Sequence, residues 1–174
     1  MGWNTSALFV RGRSVGEIVG GLPGAGNWRA TGERVSGAPA SSFSPGGRLY
    51  LGEGGGWCHL WDPEQVVPID VDRLLDQGSL AALKGTRALS LLFSSVSSTY
   101  GLWLYDDGAL IRNVVYQDGE VVQESGEPLP VETRVELPSW GPDEDFLWSV
   151  FQDVTGLGFD LDQRFEVYVD TARD

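Results

Sequence analysis

The sequence predicts an α+β fold: a mainly antiparallel sheet of five to seven strands with two or three helices packed on it. Three observations carry this reading. Residues 88–94 (ALSLLFS) form a nearly continuous apolar run of strand length. Beyond it, two Asp-Gly pairs, Asp107-Gly108 and Asp118-Gly119, separate runs rich in β-branched and aromatic residues, the signature of two-residue hairpin turns. Finally, an amphipathic stripe of Phe146, Leu147, Val150, Phe151 and Val154 follows Pro142 and three carboxylates and stops at Gly156, as a helix does.

The elements follow in chain order. Residues 6–11 read as a first strand. Ser14 and Glu17 have capping-box spacing and open a short helix with Val15, Ile18, Val19 and Leu22 on its apolar side. Residues 24–47 are rich in Gly, Ala, Ser and Pro, with a weak strand at 29–35 and an exposed internal loop at 36–47. Strands are expected at 48–51 and 57–61 and a helix over 71–83, capped by Asp70, with Gly78 as its weak point. The meander then runs through 100–106, 109–117 and 120–124, and 165–169 is an optional last strand. The whole of 1–174 reads as one domain, a usual size for a single core.

Composition narrows the function classes. The 25 acidic and 12 basic residues give a formal charge of −13. Nucleic acid and anionic membrane surfaces both require a basic footprint, so neither is an expected partner, whereas a basic protein is. Lys84 is the only lysine beside 11 arginines, which reads as the codon bias of a GC-rich bacterial genome. Cys58 is the only cysteine, so no intrachain disulfide forms and nothing points to an oxidising compartment. With no basic-then-apolar leader and no long apolar run, the expected location is the cytoplasm.

Two segments, residues 105–112 (YDDGALIR) and 126–132 (GEPLPVE), resemble a family of actinobacterial proteins in which DG-x-L-x-R is followed by GEPLPFE. The likeness extends in order over most of the chain, but the motif itself covers 105–132. Trp3-Asn4 stands where that family tends to have Ala-Lys, and Val131 where it tends to have Phe. The resemblance implies this organisation and a bacterial source; it implies no mechanism.

The residue types that carry chemistry are sparse. His59, the only histidine, is next to Cys58; neighbours on a strand point to opposite faces, so the two make neither a dyad nor a metal pair. Asp160 and Asp162 lack the remaining positions of a calcium loop. Gly52–Gly56 lacks the Lys-Ser/Thr of a phosphate loop. No catalytic residue, metal site or cofactor is therefore expected.

The aromatics are more informative. Alternation puts Trp57, His59 and Trp61 on one face of their strand. In the meander, tight turns at both Asp-Gly pairs would set Trp103 opposite Arg112, so that Trp103, Tyr105, Arg112, Tyr116 and Gln123 share one face. Leu102, Leu104, Ile111, Val115 and Val122 would then make the core face. The first set has the composition of a recognition surface; alternatively a helix covers it and Arg112 stacks on Trp103. The function expected is non-enzymatic binding that neutralises a basic protein partner, as immunity proteins do. The alternative is a carboxylate-dependent hydrolase of glycosidase type, whose acid/base pair the sequence does not single out.

Overall fold

The computed structural model describes residues 2–173. Among the described residues nine strands form one antiparallel sheet in the order β2-β9-β3-β4-β1-β5-β6-β7-β8. They are β1 (Asn4–Arg11), β2 (Trp28–Val35), β3 (Arg48–Gly54), β4 (Trp57–Asp62), β5 (Arg87–Ser94), β6 (Thr99–Asp106), β7 (Ala109–Gln117), β8 (Glu120–Ser125) and β9 (Phe165–Asp170). Four α-helices accompany them: α1 (Val15–Gly20), α2 (Val71–Asp76), α3 (Pro130–Arg134) and α4 (Glu144–Thr155).

The expected five to seven strands and two or three helices are thus too few. The marginal strand candidates, 29–35 and 165–169, find their partners across most of the chain. β9 inserts between β2 and β3, and a pairing that distant leaves no local signature. Helix α3 was hidden in the Gly-Glu-Pro-Leu-Pro segment, where Pro130 occupies the first turn.

The central strands are buried on both faces, which explains the continuous apolar runs of β1, β5 and β6. On one face Ala7, Phe9, Trp61, Leu91, Phe93 and Leu102 pack under α4 through Phe146, Leu147, Val150 and Phe151, with Val131 of α3. On the other, Leu8, Val10, Leu60, Leu92, Trp103 and Tyr105 pack under α1 and α2 through Ile18, Val71 and Leu74. Ala40 of the 36–47 segment is tucked into the first cluster.

Local signals set the element ends. Ser14 and Glu17 exchange the two bonds of a capping box, Glu17 N–H to Ser14 Oγ at 3.2 Å and Ser14 N–H to Glu17 Oε2 at 2.8 Å. Gly78, at φ +79°, stops the expected 71–83 helix, and a separate 3₁₀ turn covers Ala81–Leu83. Asp143 caps α4, accepting from Asp145 N–H and Phe146 N–H, and Gly156 at φ +74° ends it.

Candidate functional site

Both Asp-Gly pairs make the expected two-residue turns, with positive φ at Asp107, Gly108, Asp118 and Gly119. Tyr105 faces Leu110 and Tyr116 faces Val121, also as expected. One residue further from each turn the register slips. Ile111 is an extra residue in β7, so Arg112 pairs with Leu104 and Trp103 with Asn113. Val122 is an extra residue in β8, so Gln123 pairs with Val115. Each bulge moves every later side chain to the other face.

The proposed recognition surface is therefore not assembled. Trp103 and Tyr105 are buried in the cluster under α1 and α2, with Asp72 of α2 beside the Tyr105 hydroxyl. Arg112 lies on the opposite face, buried, with Nε at 2.9 Å from Glu132 Oε2, Nη2 at 2.6 Å from Glu132 Oε1 and Nη1 at 2.9 Å from Glu124 Oε1. It stacks on no indole; it ties β7 to β8 and α3. Tyr116 is half-buried, edge-on to Phe146, and Gln123 is exposed on β8. The expected core face is also corrected: Leu102 and Leu104 are buried, but Ile111 and Val122 are exposed and Val115 packs on the other side.

Trp57, His59 and Trp61 do share one face, yet all three are buried. The His59 ring sits among Phe9, Phe151 and Phe165, and neither ring nitrogen has a hydrogen-bond partner. Burial pushes its pKa down to about 4. Cys58 is buried on the far side, and burial, with Glu53 and Glu17 adding to it, pushes its thiol up to about 12. Among the described residues no three His, Cys, Asp or Glu side chains group together as metal ligands. No helix among them is long and apolar enough to cross a membrane.

A surface site lies elsewhere, at the N-terminus of α4. A cleft of about 420 Å³ is lined by Ser98, Tyr100, Asp118, Trp140, Asp143 and Glu144, together with Gly119 and Pro142. Trp140 stands at its rim, 72% exposed. Its carbonyl is held against the β7–β8 turn, where a Cβ added at Gly119 would meet it at 2.7 Å. Asp143 and Glu144 are held by backbone donors: Asp143 Oδ1 accepts from Asp145 and Phe146, and Glu144 Oε1 from Trp3 N–H at 3.2 Å. Burial, with the neighbouring carboxylates of Glu144 and Asp143 adding to it, raises the Tyr100 pKa to about 12. None of Asp118, Asp143 and Glu144 is in an ion pair among the described residues. Three unpaired carboxylates beside an open indole face suit a guanidinium or ammonium group.

The charge is distributed accordingly. Residues 99–155 hold 12 of the 25 acidic residues and only two basic ones, Arg112 and Arg134, and so carry −10 of the total −13. Both arginines are already paired, Arg112 with Glu132 and Glu124 and Arg134 with Asp153. Sequence reasoning read the 143–145 carboxylates as a helix start and passed over Trp140. The available signal was an aromatic between Pro138 and Pro142, in a segment with no strand or helix pattern to bury it. The chain matches no known family model, no characterised protein and no solved structure.

Proposed function

We propose that this chain is a non-enzymatic binding protein that neutralises a basic protein partner, in the manner of an immunity protein. The observation that carries the reading is the cleft at the N-terminus of α4, where Trp140 stands over Asp118, Asp143 and Glu144 in the segment 99–155 that holds most of the chain's negative charge. Such a field speeds encounter with a cationic surface, and an aromatic anchor slows release. A lysine or arginine of the partner entering the cleft would meet two carboxylates, Asp143 and Glu144, whose positions are already fixed by backbone bonds, so less ordering is left to do on binding.

The test is capture from the lysate of the source organism with the full chain as bait, at low and high salt. A partner is expected that is basic, is retained at low salt and released at high salt, and is lost with Trp140→Ala or Asp118→Asn. Arg29→Ala, on the opposite sheet edge, is expected to leave capture unchanged. Absence of any such partner, together with hydrolysis of a glycoside by the purified chain, overturns the reading.

A further inference from the structure

We infer that the free edge of β8 receives an extended basic segment of the partner as a tenth strand, leading one of its cationic side chains into the Trp140 cleft. This rests on the binding reading above and adds how the partner is held.

A nine-stranded open sheet has two edges, β2 and β8, and unpaired strand edges are templates for another chain unless they are blunted. The β2 edge is blunted. Its ladder to β9 is interrupted between Ala30 and Arg34, Gly32 sits there at φ +79°, and Thr31 Oγ1 bonds the Val167 carbonyl. β8 is different. It pairs with β7 from Glu120 to Ser125 with a single extra residue, Val122, and all six of its residues are exposed. Among the described residues no backbone hydrogen bond links it to anything but β7. Val121 and Val122 are 48% and 58% exposed on it, side chains of the kind that favour strand pairing.

Its charges select the occupant. Antiparallel pairing with a second copy centred on Val122 would set Glu120 against Glu124, and parallel in-register pairing would set each against itself; like charges directly opposite disfavour both. A strand bearing Lys or Arg reverses the sign of each contact. The edge also leads to the cleft. β8 begins beside Gly119, whose backbone touches the Trp140 carbonyl and Gly141, and Asp118 and Gly119 line the cleft itself. Main-chain bonds along β8 supply affinity and the cleft supplies side-chain selection, the division of labour in strand addition.

The probe is a capped peptide of about ten residues alternating Thr and Lys, compared with the same peptide N-methylated at alternate residues, which keeps the charge but removes strand-pairing donors. With the full chain at low salt, the unmodified peptide is expected to bind at least about tenfold tighter and to slow amide exchange within 120–125. Val122→Pro is expected to erase that difference; should this variant fail to fold, Glu120→Lys, on the same edge, is expected to weaken the unmodified peptide several-fold. Equal binding of both peptides, or protection confined to 140–145, overturns strand addition and leaves the binding reading in place. Binding of neither peptide overturns both.

Discussion

Arg112 and Glu132 meet in a two-pronged ion pair, Nε to Oε2 at 2.9 Å and Nη2 to Oε1 at 2.6 Å, with both side chains buried. Glu132 also accepts from Leu129 N–H, and Arg112 Nη1 donates to the carbonyls of Ser125 and Gly126. Arg112 ends the segment 105–112 and Glu132 ends 126–132, so these two segments clasp each other. Arg112→Ala leaves a buried carboxylate without its counter-charge and is expected to cost about 3–5 kcal/mol. The double substitution Arg112→Met with Glu132→Leu is expected to cost less than the single one, because no charge is left buried. Urea midpoints of the three proteins check this; a loss under about 1 kcal/mol for Arg112→Ala would contradict it.

Gly126 makes that clasp possible. It has φ +74°, and a methyl group built on it would overlap the Ile111 carbonyl oxygen at the β7 bulge. Gly12 has a similar φ of +62° with nothing near. Gly12→Ala is therefore expected to cost about 1 kcal/mol from backbone strain alone. Gly126→Ala should cost clearly more, and less than additively when combined with Arg112→Ala, since both disrupt one contact. Equal losses for the two glycines would show that the close approach does not matter.

These two residues also show how far the sequence could be read. The two Asp-Gly turns were legible because each needs positive φ at two successive positions, which few other residues accept. The bulges at Ile111 and Val122 were not legible, since an extra residue in a strand looks like any other strand residue. Their consequence was large: Arg112 moved from the Trp103 face to the Glu132 face, and the five residues expected to share one face of the meander were divided between its two sides. The opposite faces of Cys58 and Trp57/His59/Trp61 were legible because β4 has no bulge against either neighbour. Trp140 was missed because nothing periodic marks an exposed aromatic in a turn.

His59 should make stability depend on pH. Its folded pKa, about 4, lies below the ordinary 6.5 because burial disfavours the imidazolium. Between these values the unfolded chain binds a proton that the folded chain does not, so stability is full above about pH 6.5 and falls as pH drops toward 4. The integrated loss is on the order of 3 kcal/mol. Asp62, whose carboxyl burial pushes up, titrates with the opposite sign and is common to any His59 variant. His59→Leu should therefore flatten the profile relative to the parent over pH 4–6.5, as measured by denaturant unfolding at a series of pH values. An unchanged difference across that range would mean that the ring is protonated in the folded state.

Cys58 should be inert in the native protein. It is buried under the cluster formed with α1 and α2, and its thiol is pushed up to about 12, so little thiolate exists at neutral pH. A thiol reagent is expected to label it only at the rate at which the sheet opens, and labelling should accelerate steeply through the urea transition. Fast stoichiometric labelling without denaturant would place the sulfur at the surface.

Trp140 and Trp103 should separate binding from folding. Trp103 is buried, and its indole lies back over its own strand: a Cβ at Gly101 would stand 2.8 Å from the ring. Trp103→Ala empties core volume and is expected to cost about 3–5 kcal/mol of stability. Any loss of binding it causes should then track the folded fraction. Trp140 is largely exposed, so Trp140→Ala should change stability by less than about 0.5 kcal/mol. If Trp140 anchors a cationic partner, the same substitution should weaken that complex by about 2 kcal/mol, most of it in the dissociation rate. Asp118→Asn, which removes a neighbouring charge, should instead slow association and reduce its dependence on salt. Calorimetry and stopped-flow association at two salt concentrations, run beside urea unfolding, resolve the pair. Equal affinity for parent and Trp140→Ala would move the binding site away from the α4 cleft.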